Sequence, residues 1–203
     1  MQSALEIFLT RFAFAVIPRL PRRVVVSLSR FLGYLGYVVS RKLKRIGLVN
    51  LDIAFGDTLS VERKSEILRK SFQSMALVLL DTFWYSRDTA QRVSRTVFFD
   101  PAFEVLFKEK PQVVVSLHYG NWEILGMGIT SKGFPLHSVA KPLKNARVDE
   151  LFDEVRHKTG QQIIKRKGAV RSLLKVLQQG GKIGLVMDQN TKLSEGGQFF
   201  PVF

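Results

Sequence analysis

The sequence contains no cysteine among its 203 residues. This absence excludes disulfide scaffolds, thiolate zinc sites, iron–sulfur clusters and every mechanism with a cysteine nucleophile. The Gly-x-Ser-x-Gly elbow of α/β-hydrolases is missing, as are the GxxxxGK[ST] loop and a complete GxGxxG fingerprint, so neither a serine hydrolase nor a nucleotide phosphate cradle is supported. The three histidines, His118, His137 and His157, do not have the spacing of a local metal site. We therefore expect neither a metal nor another cofactor.

Acidic residues are scarce: 17 Asp and Glu stand against 31 Lys and Arg, which gives a formal net charge of +14. Residues 1–50 hold nine of the basic residues and a single acid, Glu6. A field of this sign attracts nucleic acid, an anionic membrane face or an acidic protein. Because the excess is concentrated where the chain is most apolar, the pattern favours a membrane over nucleic acid.

The amino-terminal region has no long uncharged hydrophobic run. Its two apolar stretches, 4–17 and 24–39, contain charged residues and are shorter than the roughly 18 apolar residues of a spanning helix. The basic segment 18–23 lies between them, and the cations of 41–45 are typical of the cytoplasmic side of a bilayer. We predict that residues 1–45 form membrane-associating interfacial helices. A true span, or core helices of a soluble protein, would be the alternatives.

Residues 46–203 are predicted to form an α/β domain. A helical hairpin or one long helix covers residues 60–85, and after residue 100 helices and strands alternate. Four strands separated by helices of ten or more residues indicate a mostly parallel sheet flanked by helices. The predicted strands are 112–117, 135–140, 161–165 and 182–187, and the predicted helices between them are 121–131, 146–159 and 169–179.

A histidine follows the first predicted strand. In open parallel sheets, ligands bind beyond the carboxyl ends of the strands, which is where His118 falls. Glu123 lies five residues further on, in the first turn of the next helix, from which its carboxylate can fold back onto the imidazole. A neutral histidine is a suitable base near pH 7, and a carboxylate would fix its tautomer. A surface ion pair or a core histidine would give the same short pattern.

Two more polar clusters follow later strands. Residues 165–168 (KRKG) place cations before a helix, as in an anion or oxyanion site. Residues 188–190 (DQN) follow the last predicted strand. A solvated basic turn and a polar loop would explain each cluster alone. Because all three clusters fall at strand ends of one predicted sheet, we interpret them together as a candidate site.

Five segments in this order resemble the bacterial lipid A biosynthesis (lauroyl/myristoyl) acyltransferases, which are part of the lysophospholipid acyltransferase superfamily. The first carries the His-x4-Asp/Glu block of that superfamily, and the resemblance covers roughly residues 30–203. The segments are VVVSLHYGNWEI (113–124), VAKPLKN (139–145), IKRKGA (164–169), VMDQN (186–190) and GGQFFPVF (196–203).

The resemblance implies a glycerolipid acyltransferase-like fold and a role in lipopolysaccharide biosynthesis. A fatty acyl group would pass from acyl carrier protein to a hydroxyl of a lipid A precursor glycolipid, at the cytoplasmic face of the inner membrane, without cofactor or nucleic acid. His118 would remove the hydroxyl proton, Glu123 would orient His118, and Arg166 would bind a phosphate or the oxyanion. The substrate-binding residues would be Asn121, Arg166, Asp188 and Gln189.

Other interpretations remain open at this point. Acylation of phosphatidylinositol mannosides or of lysophospholipids fits the same residues, and an inactive truncated homologue or a basic binding protein without catalysis would share the composition. Members of the resembling family are longer and add strands after the last segment. We therefore expect a carboxyl-terminally incomplete domain with an unpaired sheet edge at residues 182–187 or nearby.

Overall fold

The computed structural model describes residues 2–108, 110–166 and 168–189, in which helices precede and then alternate with strands. The helices are α1 Gln2–Val16, α2 Arg22–Val39, α3 Arg41–Phe55, α4 Val61–Trp84, α5 Thr89–Thr96, α6 Trp122–Ser131, α7 Ala146–His157 and α8 Ala169–Gln178. The strands are β1 Gln112–Ser116, β2 Leu136–Ala140, β3 Gln162–Lys165 and β4 Lys182–Val186. Short 3-10 helices cover Ile17–Arg19, Gly56–Thr58 and Pro101–Phe107.

The strands of the described region form one parallel sheet in the order β1-β4-β2-β3. This confirms the predicted α/β class with a parallel sheet. Residues 182–187 themselves do not lie at an edge, because β4 pairs with β1 on one side and with β2 on the other. The edge strands of the described sheet are β1, which neighbours β4, and β3. After α8 the chain returns to the middle of the sheet, where Ile183 is only 4% exposed.

By its contacts the described chain divides into two units, and the first contains the sheet. This unit joins residues 2–19 to Asp81–Asp188. Phe14 of α1 packs against Phe83 and Phe152, with ring centroids 4.8 and 5.6 Å away. Since α1 contributes to this aromatic cluster, its inward face belongs to the core of the sheet unit.

The outward face of α1 is apolar as well. Glu6 and Arg11 interrupt the apolar sequence of this helix, and no helix in the described part of the chain is long and apolar enough to cross a membrane. Membrane association of residues 1–45 stays a prediction. The exposed apolar side chains on α1 are Leu5, Phe8, Leu9, Phe12 and Val16.

The second unit contains Leu20–Leu80, and its helices α2 and α4 approach closely at Gly33. A Cβ atom at Gly33 would lie 2.6 Å from the Gln73 backbone nitrogen and 2.8 Å from the Phe72 carbonyl oxygen. Backbone atoms cannot move aside as a flexible side chain can. The absence of a side chain at Gly33 therefore permits this helix–helix contact.

We expect Gly33→Ala to lower the free energy of unfolding by about 1–3 kcal/mol, because the added methyl group forces the two helices apart. Gly36 of the same helix is the matched control, since its Cβ would meet only the Phe72 ring edge at 3.4 Å. Gly36→Ala should be neutral or stabilising by up to about 1 kcal/mol through helix propensity. Urea denaturation of both variants measures the difference, and equal midpoints would contradict the close approach.

Candidate active site

His118 and Asp188 lie side by side beyond the carboxyl ends of two neighbouring strands. β1 and β4 pair with Ser116 opposite Val186, and the Met187 backbone N–H donates to the Ser116 carbonyl oxygen at 3.0 Å. Continuing this register by two residues brings His118 opposite Asp188. The His118 ring atom Nδ1 is 2.6 Å from Asp188 Oδ1, and the His118 backbone N–H donates to Oδ2 at 3.0 Å. His118 therefore contacts both carboxylate oxygens of Asp188, one through its ring and one through its backbone.

The contact with Asp188 fixes which ring nitrogen of His118 carries the proton. An ionised carboxylate only accepts hydrogen bonds, so Nδ1 must be the donor in the neutral ring. The other nitrogen, Nε2, then presents its lone pair away from Asp188. The His118 side chain is 29% exposed, so the pair is open to a substrate on one side. This is the tautomer and orientation that a histidine base requires.

Electrostatics keep Asp188 ionised. Burial raises the pKa of its carboxyl, but the hydrogen bonds from the His118 ring and backbone outweigh it, so the pKa lies below its ordinary value.

Two local features hold the His118 ring in place. The Trp122 ring packs edge-on against the imidazole with centroids 4.8 Å apart, and Gly120 adopts the left-handed conformation (φ 62°) that turns the chain from β1 into α6.

Glu123 has a different partner from the one the sequence predicted. Both of its carboxylate oxygens accept hydrogen bonds from Arg156 of α7, at 3.0 Å from Nε and 2.8 Å from Nη2. In the described residues the carboxylate on the His118 ring is that of Asp188. The two side chains of the Glu123–Arg156 pair are 20% and 15% exposed, so the pair is largely removed from water. Glu123 thus ties the first turn of α6 to α7.

Arg156 extends this pair into a network of charges between α7 and β3. Its Nη1 atom donates to Asp153 at 3.0 Å, and Lys165 at the end of β3 donates to Asp153 at 2.6 Å and to Asp149 at 2.7 Å. Burial lowers the pKa of Arg156, but the hydrogen bonds to Glu123 and Asp153 outweigh it and raise the pKa above its ordinary value. Hydrogen bonds to Asp149 and Asp153 raise the pKa of Lys165. Arg156 and Lys165 therefore stay charged at neutral pH.

Asn121 anchors the start of α6 rather than facing open solvent. Its Oδ1 accepts from the Ile124 backbone N–H at 3.1 Å, which caps the helix. Its Nδ2 donates to Asp81 Oδ2 at 2.8 Å, and Asp81 is only 4% exposed. Asn121 therefore joins the turn after His118 to the end of α4. A direct contact of Asn121 with substrate stays a prediction.

Arg166 lies at the same carboxyl-terminal edge of the sheet as His118 and Asp188. Arg166 directly follows β3, which is two strands away from β4, or roughly 10 Å at the usual strand spacing. Gln189 follows Asp188 and is exposed. Lys167, Asn190 and the segment 196–203 lie outside the described residues.

Sequence reasoning did not find Arg156, Asp153 or Asp81. Asp81 had a usable signal, because it is the charged residue in the apolar stretch 76–84 and a buried acid in such a helix needs a partner. No comparable sequence signal marked Arg156 or Asp153, since α7 contains many charged residues and nothing distinguishes these two from the others. In the part of the chain that the structure describes, no group of three or more His, Asp or Glu side chains is placed to hold a metal ion.

A histidine oriented by a carboxylate at this edge of a parallel sheet is typical of enzymes that activate a hydroxyl group or a water molecule. The comparison with known families is more specific. The chain matches the bacterial lipid A biosynthesis acyltransferases over residues 1–203 and belongs to that family, which makes acyl transfer its class of reaction. No curated protein matches the sequence.

Proposed function

We propose that the protein transfers a fatty acyl group from acyl carrier protein to a hydroxyl of a lipid A precursor glycolipid, with His118 as the general base. The observation that carries the proposal is the 2.6 Å contact between His118 Nδ1 and Asp188 Oδ1. It leaves Nε2 as the basic nitrogen at the open end of two strands, in a chain that belongs to an acyltransferase family.

The reaction needs one proton to move twice. The acceptor hydroxyl oxygen attacks the thioester carbonyl carbon while Nε2 of His118 takes the hydroxyl proton. Asp188 stabilises the imidazolium that forms, because its carboxylate is ionised and hydrogen-bonded to the protonated ring. The tetrahedral intermediate then collapses, the carbon–sulfur bond breaks, and the imidazolium returns the proton to the thiolate. The products are an ester and the free thiol of the carrier, and no enzyme nucleophile is consumed.

The other site residues support this reaction from a distance. Glu123 is a positioning residue, since its pair with Arg156 fixes the first turn of the helix that follows His118. Arg166 binds a phosphate of the acceptor, in agreement with its place two strands away from Asp188. Asn121 and Gln189 contribute polar contacts to the substrate near the same edge.

We place the reaction at the cytoplasmic face of the inner membrane. The support is the apolar stripe on the outward face of α1 and the concentration of positive charge in residues 1–50. A helix that exposes an apolar stripe close to basic residues can insert that stripe into the interfacial layer of the membrane. The net charge of +14 also suits an acidic carrier protein as the donor.

The identity of the acceptor is tested by analysing the product. Purified protein in detergent receives acyl carrier protein loaded with a labelled fatty acyl group, together with one acceptor at a time: a tetra-acylated lipid A precursor, a phosphatidylinositol mannoside or a lysophospholipid. We expect label only in the lipid A precursor. Label in one of the other two acceptors would replace the substrate but keep the reaction. Label in none of them, with thioester intact, would support an inactive homologue.

A further inference from the structure

A cavity with a positively charged rim lies in the sheet unit at the carboxyl-terminal end of α1. Its volume is about 340 Å³, and it is formed by residues around Pro18, the turn after α4 and the last turns of α7. Arg19, Arg87 and Lys158 line it together with a single carboxylate, that of Glu154. The excess of positive charge in a concave site is a feature that attracts anions.

The three cations are held in place by neighbouring groups of the protein. Lys158 Nζ donates to the Ser86 carbonyl oxygen at 2.9 Å, and Arg19 Nη1 donates to the Ala15 carbonyl oxygen. The Nε atom of Arg87 lies 3.4 Å from Asp88 Oδ2. A guanidinium has five N–H donors and an ammonium three. One such contact therefore orients each cation and leaves it donors for an anionic ligand.

The wall of the cavity is fixed as well. Arg92 stacks over the Trp84 ring, 4.1 Å from its centroid, and donates to the Pro18 carbonyl oxygen at 2.7 Å. The same wall includes Phe14, whose ring is locked against Phe83. The segment that carries Arg19 is therefore tied to the core, so the site needs little reorganisation to bind.

α1 connects this cavity to an apolar surface. The inward side of the helix carries Phe14 into the aromatic core, while its outward side exposes Phe8, Phe12 and Val16. An exposed apolar stripe beside a cationic cavity matches a lipid, whose acyl region is apolar and whose headgroup is a phosphate ester. A small soluble phosphate compound would use the cations but not the stripe.

We propose that this cavity binds the phosphate headgroup of an anionic membrane lipid and so anchors α1 at the bilayer surface. The inference rests on the membrane association proposed above and adds the site and the chemistry that would recognise the membrane. It is separate from the His118 site, because none of the three cations contacts His118, Asp188 or Glu123 in the described structure.

The test measures sedimentation of the purified protein with vesicles of phosphatidylcholine, with or without phosphatidylglycerol. We expect preferential binding to the anionic vesicles and a weakening of about 100-fold in the triple variant Arg19→Gln/Arg87→Gln/Lys158→Gln, at about fivefold per cation. The matched control, Lys132→Gln/Lys144→Gln/Arg171→Gln, removes the same charge from exposed positions of the same unit that do not line the cavity. It should weaken binding by no more than about fivefold, because remote charges are screened.

Each other result overturns the proposal in a distinguishable way. Equal losses in the two triple variants would mean that overall charge, not the cavity, binds the membrane. Calorimetric titration with inorganic phosphate addresses the soluble alternative: saturable binding that the cavity variant abolishes, without preference for anionic vesicles, would assign the site to a soluble phosphate. Binding of the wild type to neither vesicle would overturn the membrane association itself. The acyl transfer assay in detergent should be unchanged by the cavity variant, so failure of the reaction and failure of the anchor are read separately.

Discussion

Replacing His118 by alanine is expected to lower kcat for acyl transfer by about 10²- to 10⁴-fold, the usual contribution of a general base. The variant removes Nε2, the nitrogen that takes the hydroxyl proton in the proposed reaction. Asp188 would lose its ring partner but keep the His118 backbone N–H, and at 31% exposure its carboxylate is partly solvated. The fold should therefore survive, and single-turnover transfer from labelled acyl carrier protein measures the loss.

His157→Ala is the matched control for this experiment. His157 ends α7, is exposed and makes no side-chain contact in the described structure with the His118 site, so its removal should leave kcat within about twofold of the wild type. Thermal melting of both variants shows that they remain folded. An active His118→Ala enzyme would remove the base from the mechanism proposed here. A loss of activity in both variants would point to a general effect of histidine replacement on this chain.

The elements of the sheet unit could be predicted from the sequence because each is encoded locally. The β-branched run before His118 and the apolar segment 183–186 are strands, and glycines end the helices between them. The order of the strands is not encoded locally. Nothing in residues 182–186 indicates that they enter between β1 and β2 rather than at an edge. That choice depends on how α7 and α8 pack after they have formed.

The same limit explains the outcome at the candidate site. Sequence spacing favoured Glu123 as the partner of His118, because a carboxylate in the first turn of the next helix can fold back onto the imidazole. Asp188 is 70 residues away, and only the pairing of β1 with β4 brings it to the imidazole. Because His118, Arg166 and Asp188 each follow a predicted strand, the sequence still predicted that they lie at one edge of the sheet. Which of these side chains bond to one another could not be predicted without the order of the strands.

Asp188→Asn should lower kcat by about 10³-fold, and the reason is the direction of its hydrogen bonds. The His118 backbone N–H needs an acceptor, so the amide oxygen must take the place of Oδ2. The amide NH₂ then faces the ring at the place of Oδ1 and donates to Nδ1. This forces the proton onto Nε2, the nitrogen that should act as the base. The variant keeps both contacts and the shape of the site but selects the wrong tautomer.

Glu123→Gln distinguishes the role of Glu123 from that of Asp188, since the carboxylate oxygens of Glu123 bind Arg156 rather than His118. Glutamine keeps one acceptor for the guanidinium and loses the charge, and Arg156 still has Asp153. We expect the free energy of unfolding to fall by about 1–3 kcal/mol and kcat to change less than for Asp188→Asn.

Double replacement tests the assignment further. The losses of kcat, expressed as free energies, should be additive in the variant Glu123→Gln/Asp188→Asn if the two side chains act through different partners. An inactive Glu123→Gln enzyme of wild-type stability beside an active Asp188→Asn enzyme would instead make Glu123 the group that acts on His118. That result would require the first turn of α6 to release Arg156 when substrate binds.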